Sequence, residues 1–191
     1  ANTLKTIREV SEILSSDGTS ENLVRRAHMV QNLLKAHTKR ERELMDAVMR
    51  REAKEMKALL DEMKTKETPV LHREFQNFGM EALRNIADEI RNYRKNAVGF
   101  FYEPDVQGKV HYLVFVGQNL VKTHPANKLI KEIGKIVGGG GGGKPHLAEG
   151  GGGNPQKVAG GGGKPHLAEG GGGNPQKVAE AITYLEEKFK R

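Results

Sequence analysis

The sequence predicts an α+β protein in which a long helical arm, residues 1–68, precedes a small two-layer α/β globular part, residues 69–191. Two observations support this division. All ten Phe and Tyr residues lie at or after Phe75, and only one of the 24 glycines falls among the first 68 residues. The first part is therefore helix-forming without aromatic core residues, whereas the second alternates helical and strand-like patterns. Pro69, which rarely continues a helix, marks the boundary.

Two helices are predicted in the arm. Apolar residues at spacings of three and four predict a first helix over Leu4–Leu14, and the polar run Ser15–Gly18 predicts a turn after it. A second helix is predicted over Glu21–Lys64, which would be about 65 Å long at the usual helical rise per residue. The polar segment Thr38–Glu43 interrupts its apolar stripe. This interruption indicates either a solvated turn of one helix or a short break between two helices.

The apolar stripe of the second helix begins with the spacing of a coiled coil. A helix of that length cannot bury its own stripe, and the first helix covers only part of it. An exposed apolar stripe of this length is typical of an interface, so the sequence predicts a homodimer through the arm. The alternative is that the first helix and the globular part cover the whole stripe. The predicted dimer interface comprises Leu23, Ala27, Val30, Leu34, Leu44, Met45, Val48, Met49, Met56, Leu60 and Met63.

The globular part is predicted to contain, in order, a short extended segment, a helix, two strands, a second helix and a glycine-rich segment. The turn-forming run Glu103–Gly108 joins the two strands, so a hairpin is predicted. The second strand is apolar on both faces and is therefore expected at the centre of the sheet. The predicted bounds are Val70–Phe75, Met80–Arg94, Ala97–Tyr102, Val110–Val116 and Ala126–Val137.

A 20-residue segment occurs twice in tandem. Residues 140–159 and 160–179 are identical at every position. Structural repeats normally diverge, and a solenoid needs about three units, so this is not the pattern of a repeat fold. Complete identity is typical of a recent duplication or of a segment entered twice in the sequence, and the second interpretation is favoured. The final helix is predicted from Pro155 to Lys190 with Asn154 as its N-cap, and the same Asn-Pro pair recurs in the second copy.

Composition and motif content exclude several classes of function. The chain has no Cys, so it can form neither disulfides nor thiolate metal sites. Its seven His residues form no metal-binding pattern. The adjacent acids Asp88–Glu89 and Glu186–Glu187 point in different directions on a helix and therefore do not form a carboxylate pair. No catalytic motif is present. No apolar run is long enough for a membrane span, no secretory leader is found, and the chain begins without Met. We therefore expect a non-enzymatic, metal-free fragment of a cytoplasmic protein.

The glycine-rich segment is the most unusual part of the sequence. Six consecutive glycines, Gly138–Gly143, precede Lys144 and Pro145. Many glycines in one place let backbone amides approach a ligand or another backbone closely. The spacing satisfies that of a nucleotide-binding P-loop, but Pro145 stands where that loop needs a Ser or Thr hydroxyl, and the preceding element is a helix rather than a strand. A P-loop is therefore disfavoured.

The distribution of charge indicates a polyanionic partner for the globular part. The net charge is +7; residues 1–68 hold 14 Lys/Arg and 12 Asp/Glu, whereas residues 69–191 hold 17 and 12. Lys128, Lys131 and Lys135 share one face of a predicted helix, a spacing that suits phosphate contacts. The alternative is an ordinary solvated lysine face. The predicted binding surface comprises Lys122, His124, Lys128, Lys131, Lys135, Gly141, Gly142, Gly143, Lys144, Pro145 and His146, with Lys164 and His166 in the repeat.

The pattern Gly-Gly-Gly-Lys-Pro-x-x-Ala-x-Gly-Gly, residues 141–151, resembles the signature of the C-terminal domain of alanyl-tRNA synthetases. The order of elements along the whole chain is also similar to that domain, and the Lys-Pro-His run resembles its archaeal type. The chain departs from the usual signature twice. Lys144 replaces the usual Arg, which loses bidentate phosphate contact, and His146 stands where an acid is common. By the motif, the matching positions are Gly141, Gly142, Gly143, Lys144, Pro145, Ala148, Gly150 and Gly151.

This resemblance implies a DHH-associated domain that dimerises through its helical part and binds the elbow of tRNA(Ala) through its globular part. The parent enzyme would ligate alanine to tRNA(Ala) with ATP and edit mischarged tRNA, with ATP, magnesium and zinc bound outside this fragment. No cofactor is expected in the fragment itself. Two alternatives remain open: the oligonucleotide-binding domain of a DHH-type phosphodiesterase, and a purely structural dimerisation arm.

Overall fold

The computed structural model describes residues 2–152 and 175–190. By packing, the chain divides into two compact units, residues 1–48 and 49–191, and the division falls within the long second helix. This division by packing does not test the predicted domain boundary at Pro69, which stays a prediction. Within the described ranges, no helix is both long and apolar enough to span a bilayer.

The first unit contains α1 (Asn2–Ile13) and the start of α2 (Ser20–Glu62). Asp17 organises the turn before α2, because its carboxylate accepts hydrogen bonds from the backbone N–H and the hydroxyl of Thr19 at 3.0 and 2.8 Å. These bonds hold the pKa of the Asp17 carboxyl below its ordinary value of 3.8. The helix is unbroken at the polar segment, where the Thr38 hydroxyl donates to the Leu34 carbonyl at 3.0 Å. The interruption in the stripe is therefore a solvated stretch of one helix.

The second unit contains a five-stranded mixed sheet. Its strands stand in the order β1-β2-β3-β5-β4, with β1 parallel to β2 and every other neighbouring pair antiparallel. The predicted hairpin is present as β2 and β3, and the predicted helix over Ala126–Val137 has those bounds. The elements are β1 (Val70–Glu74), α3 (Met80–Tyr93), β2 (Val98–Pro104), β3 (Val110–Val116), α4 (Ala126–Val137), β4 (Gly139–Gly143), β5 (Leu147–Gly152) and α5 (Pro175–Lys188).

The core lies on both faces of the sheet. On one face Tyr112, Val114 and Val116 of β3 pack with α4 and α5. On the other face Leu113 and Phe115 pack with α3 and the last turns of α2. The predicted fold class, a helical arm followed by a small α/β body, is confirmed. The structure adds a third layer, because a strand that is apolar on both faces needs helices on each.

The glycine-rich segment forms two paired strands, β4 and β5, at the edge of the sheet. Glycine has low strand propensity, so these strands depend on their neighbours: β5 pairs with β3 along its length, and α4 packs on β4 and β5. The predicted start of the final helix at Asn154 and Pro155 lies outside the described residues, and α5 begins at Pro175 in the second copy of the repeat.

Candidate functional site

The glycines of β4 and β5 fall into two groups. A Cβ at Gly141 would lie 2.7 Å from Ile130 of α4, and a Cβ at Gly150 would lie 2.4 Å from the ring of Tyr112. Gly143 has φ +152° and would place its Cβ 2.6 Å from the backbone of Ala148. A Cβ at Gly142 would meet nothing within 4 Å. Close packing therefore explains Gly141, Gly143 and Gly150, and the surface formed at Gly142 is open.

Tyr112 supports the glycine strands from the α4 side of the sheet. Its hydroxyl donates to the Gly140 carbonyl at 3.2 Å. Burial of the ring raises the pKa of Tyr112 above its ordinary value of 10.0, so the phenol stays protonated and can donate this bond. The Tyr112 ring consequently supports the glycine segment, and it packs so closely against β5 that Gly150 cannot carry a side chain without a shift.

The loop between β4 and β5, Lys144–His146, lies against the first turn of α4. The Ala126 N–H donates to the Pro145 carbonyl at 2.7 Å, and the Val116 N–H donates to the His146 carbonyl at 3.0 Å. Lys144 is exposed, and His146 is half-buried. Burial lowers the pKa of His146 below 6.5, as do the neighbouring charges of Arg91 and Lys144, while Asp88 raises it.

α4 presents lysines on its outer face. Its buried side packs on the sheet, and Lys128, Lys131 and Lys135 are exposed on the other side, as their spacing predicts. Glu132, the acidic residue of α4, forms an ion pair with Lys188 of α5 at 3.5 Å. Among the described residues, no ion pair engages the three lysines. The helix therefore carries three cations that are free to contact an anionic partner.

Lys122 and His124 lie in the segment that precedes α4. Lys122 is exposed, whereas His124 is half-buried, with its ring 4.8 Å from the Phe189 ring and its Nδ1 3.1 Å from the Thr123 hydroxyl. Packing against α5 is sufficient to explain His124. The remaining predicted residues, Lys164 and His166, lie outside the described residues.

The predicted dimer interface divides between the two units. Its members on the first unit are exposed or half-exposed, and Leu34 retains 65% of its accessible surface. Met56 and Leu60, by contrast, are 1% and 0% exposed. They pack in the core of the second unit with α3, partly accompanied by Met49 and Met63. The burial of Met56 and Leu60 within their own chain corrects the prediction for these two residues, because α3 and the sheet cover this part of the stripe. Met49 and Met63 are only partly buried, and pairing of two copies through the exposed residues stays a prediction.

Two polar contacts were missed by reasoning from the sequence. Arg84 of α3 binds the Glu149 carboxylate, with its Nη2 3.1 Å from Oε2, and so joins the glycine segment to α3. The buried Glu103 carboxylate accepts the Phe78 and Gly79 N–H groups at 2.7 and 2.9 Å at the start of α3. Sequence separations of 65 and 25 residues hide both pairs, although Glu149 is the single acidic side chain between the two glycine runs of the motif.

The geometry of the described residues offers surfaces for binding. In residues 2–152 and 175–190, no cluster of three or more His, Asp or Glu side chains could hold a metal ion. The candidate site is therefore the lysine face of α4 with the adjoining glycine strands and their loop.

Comparison with known proteins finds a domain family and alanine–tRNA ligases among the similar proteins. Residues 67–160 match the model of the DHHA1 domain. The alanine–tRNA ligase of Carboxydothermus hydrogenoformans is 37% identical over 131 residues, which are 68% of this chain and 15% of that protein. That of Alkaliphilus metalliredigens is 30% identical over 155 residues, 80% of this chain and 17% of that protein.

A solved structure is also similar in sequence. The C-Ala domain from Aquifex aeolicus alanyl-tRNA synthetase is 28% identical, with 64% of this chain and 91% of that chain covered and a TM-score of 0.49. The chain spans only about a sixth of the length of the two ligases named above. Residues 67–160 are therefore similar to the DHHA1 domain, and the chain is similar to a segment of the alanine–tRNA ligases.

Proposed function

We propose that the chain is the C-terminal domain of an alanine–tRNA ligase, that its globular unit binds the elbow of tRNA(Ala), and that its first unit pairs two copies. The observation that supports RNA binding best is the outer face of α4. There Lys128, Lys131 and Lys135 are exposed, and no carboxylate of the described chain neutralises them. Lysines in such an arrangement contact phosphates and position a nucleic acid without reading its sequence.

The glycine strands support the same proposal through their position. α4 packs on β4 and β5, and the loop Lys144–His146 touches the first turn of α4. Gly142 has open space where a side chain would stand, so the backbone of another molecule can approach there closely. The loop Lys144–His146 therefore adjoins the helix that carries the lysine face. The open position at Gly142 faces the α3 side of the sheet, because Gly141 faces α4 and successive strand residues alternate.

The rest of the proposal concerns the parent protein. It would ligate alanine to tRNA(Ala) with ATP, edit mischarged tRNA, and bind ATP, magnesium and zinc outside this chain, in the cytoplasm. This chain would supply no catalytic group and hold no cofactor. The archaeal type also remains part of the proposal, since the relatives named above do not bear on it.

Charge reversal on α4 tests the RNA-binding proposal. Replacing Lys131 and Lys135 by Glu should weaken binding to a folded tRNA by about tenfold or more near 0.1 M salt, because two phosphate contacts become repulsions. A matched control replaces the exposed Lys54 and Lys109, which changes the net charge equally, and should leave affinity within about twofold. Equal losses in the two variants would show a dependence on net charge alone and would contradict a specific α4 site.

A further inference from the structure

Three loops from different parts of the chain meet at one end of the sheet. We name them together the loop rim: residues 94–97 before β2, residues 117–125 after β3, and residues 144–146 between β4 and β5. Backbone hydrogen bonds join them. The Asn119 N–H donates to the Lys95 carbonyl at 2.9 Å, the Gly117 N–H to the Ala97 carbonyl at 2.8 Å, and the Val116 N–H to the His146 carbonyl at 3.0 Å.

Close packing fixes the first two loops of the rim against each other. A Cβ at Gly117 would lie 2.2 Å from the Lys95 carbonyl oxygen and 2.8 Å from the Arg94 carbonyl oxygen, both of which are backbone atoms. Only glycine permits this approach, so the separation between the loops is set by the backbone. The rim is consequently a preorganised surface.

The loop rim carries positive charge without any acid. Its sixteen residues include Arg94, Lys95, Lys122 and Lys144 and no Asp or Glu. Lys95, Lys122 and Lys144 are exposed, and no ion pair within the described ranges engages them. Other lysines of the same unit form ion pairs with carboxylates; Lys57, for example, pairs with Glu89 at 2.5 Å.

The electrostatics of His146 agree with this concentration of charge. Burial is the largest cause that lowers the pKa of His146. The charges of Arg91 on α3 and of Lys144 on the rim lower this pKa further, and the charge of Asp88 raises it. A cation is thus disfavoured at that point of the rim. Unneutralised cations on neighbouring fixed loops repel one another, and a polyanion removes that repulsion when it binds.

We propose that Lys95 and Lys122, together with Lys144 of the candidate site, form a phosphate-contact area that extends the lysine face of α4 to the end of the sheet and contacts the backbone of the same RNA. This inference rests on the proposed function. The two areas are continuous, because the Ala126 N–H at the start of α4 binds the Pro145 carbonyl of the rim. The exposed side chains of Gln118 and Asn119 add neutral donors of the kind that contact phosphate or ribose oxygens.

Lys95 gives the sharpest test, because it lies on the loop farthest along the chain from α4 and the glycine strands. Lys95→Glu should raise the Kd for a folded tRNA about 3- to 10-fold near 0.1 M salt and reduce the slope of log Kd against log salt by about one. Lys109→Glu is the matched control, since it is also exposed, removes the same charge and lies at the other end of β3. It should change the Kd less than about twofold.

Two further measurements distinguish a lost phosphate contact from a loss of folding. Lys95→Gln removes the charge without reversing it and should give a smaller loss in the same direction, and thermal unfolding of each variant should match that of the unsubstituted chain. If Lys131→Glu with Lys135→Glu weakens binding but Lys95→Glu behaves like Lys109→Glu, the rim is not a contact area and the inference is overturned. If the unsubstituted chain binds no tRNA, the proposed function itself is contradicted, and the inference falls with it.

Discussion

Gly142 of β4 and Gly150 of β5 lie in the same pair of glycine strands but differ in how closely other atoms approach them. A Cβ at Gly150 would overlap the Tyr112 ring at 2.4 Å and the Gly140 carbonyl oxygen at 2.6 Å, whereas a Cβ at Gly142 would meet nothing within 4 Å. Packing within the chain therefore requires glycine at position 150 and does not require it at position 142.

Gly150→Ala should lower the free energy of unfolding by about 1–3 kcal/mol, because the added methyl group forces the strand or the ring to shift. Gly142→Ala is the control and should change it by less than about 0.5 kcal/mol, since the methyl group projects into open space. Urea unfolding followed by circular dichroism measures both. A loss for Gly142→Ala as large as that for Gly150→Ala would contradict the assigned packing.

Glu103 has a structural role that its surroundings define. α3 has no side-chain cap of its own, and the Glu103 carboxylate from β2 accepts the two N–H groups that precede the helix. A carboxylate at the start of a helix also interacts favourably with the helix dipole. This single residue thus connects the sheet to the helix on its α3 face.

Glu103→Gln should lower the free energy of unfolding by about 1–3 kcal/mol, because the amide keeps one acceptor oxygen and leaves one N–H group without its partner. Glu187→Gln on the exposed surface of α5 makes the same chemical change and should have an effect below about 0.5 kcal/mol. Chemical unfolding curves compare them. The capping role is contradicted if the two substitutions are equally harmless.

Among the elements, α2 is buried at its end and carries exposed apolar side chains over the rest of its length. Its last turns contribute Ala53, Met56 and Leu60 to the core of the second unit. Over the first unit it leaves large apolar side chains exposed, including Leu33 and Leu34 at 62% and 65%. Exposed apolar surface of this extent on a helix is typical of an interface between chains.

We predict that the chain is a homodimer with twice its mass of 21.0 kDa in solution and that Leu34→Glu produces a monomer. The substitution places a charge in the apolar contact but breaks no packing within the chain, so the thermal stability of the monomer's second unit should be kept. Asn32→Glu, about 160° round the helix from Leu34, is the control and should remain dimeric. Light scattering after size exclusion at micromolar concentration measures the mass. A monomeric unsubstituted chain would contradict the prediction.

The sequence was sufficient for elements with a clear period and insufficient for contacts between distant residues. The bounds of α4 and the β2–β3 hairpin follow from apolar spacing and turn residues. β4 and β5 were not predicted as a strand pair, because glycine on both faces removes the alternation that identifies a strand. Met56 and Leu60 were assigned to the dimer because one apolar stripe does not reveal which partner covers each part. The lysine face was found because helical spacing determines it, whereas the Lys95 loop is joined to it only by the fold.

At the scale of the whole molecule, one copy of the repeat is sufficient for every described element. β4 and β5 come from the first copy, up to Gly152, and α5 begins at Pro175 near the end of the second. Deleting residues 153–172 restores one copy of the 20-residue sequence between the same flanking elements.

The shortened chain should fold with a free energy of unfolding within about 1 kcal/mol of the full chain, because doubling a loop changes its closure entropy by only about 0.6 kcal/mol. It should also keep its affinity for tRNA. Unfolding curves and binding titrations of the two proteins, side by side, make the comparison. A shortened chain that does not fold would show that the second copy contributes structure of its own.

Binding of the chain to a folded tRNA and to the same tRNA with its elbow pairing disrupted, each across a salt series, tests the central claim most directly. We predict binding that weakens as salt increases, because lysines displace counterions from phosphates. We also predict that disruption of the elbow weakens it further at every salt concentration. Equal affinity for the two RNAs would contradict recognition of the elbow, and no binding to either would contradict an RNA-binding role and leave pairing of two copies as the function to be tested.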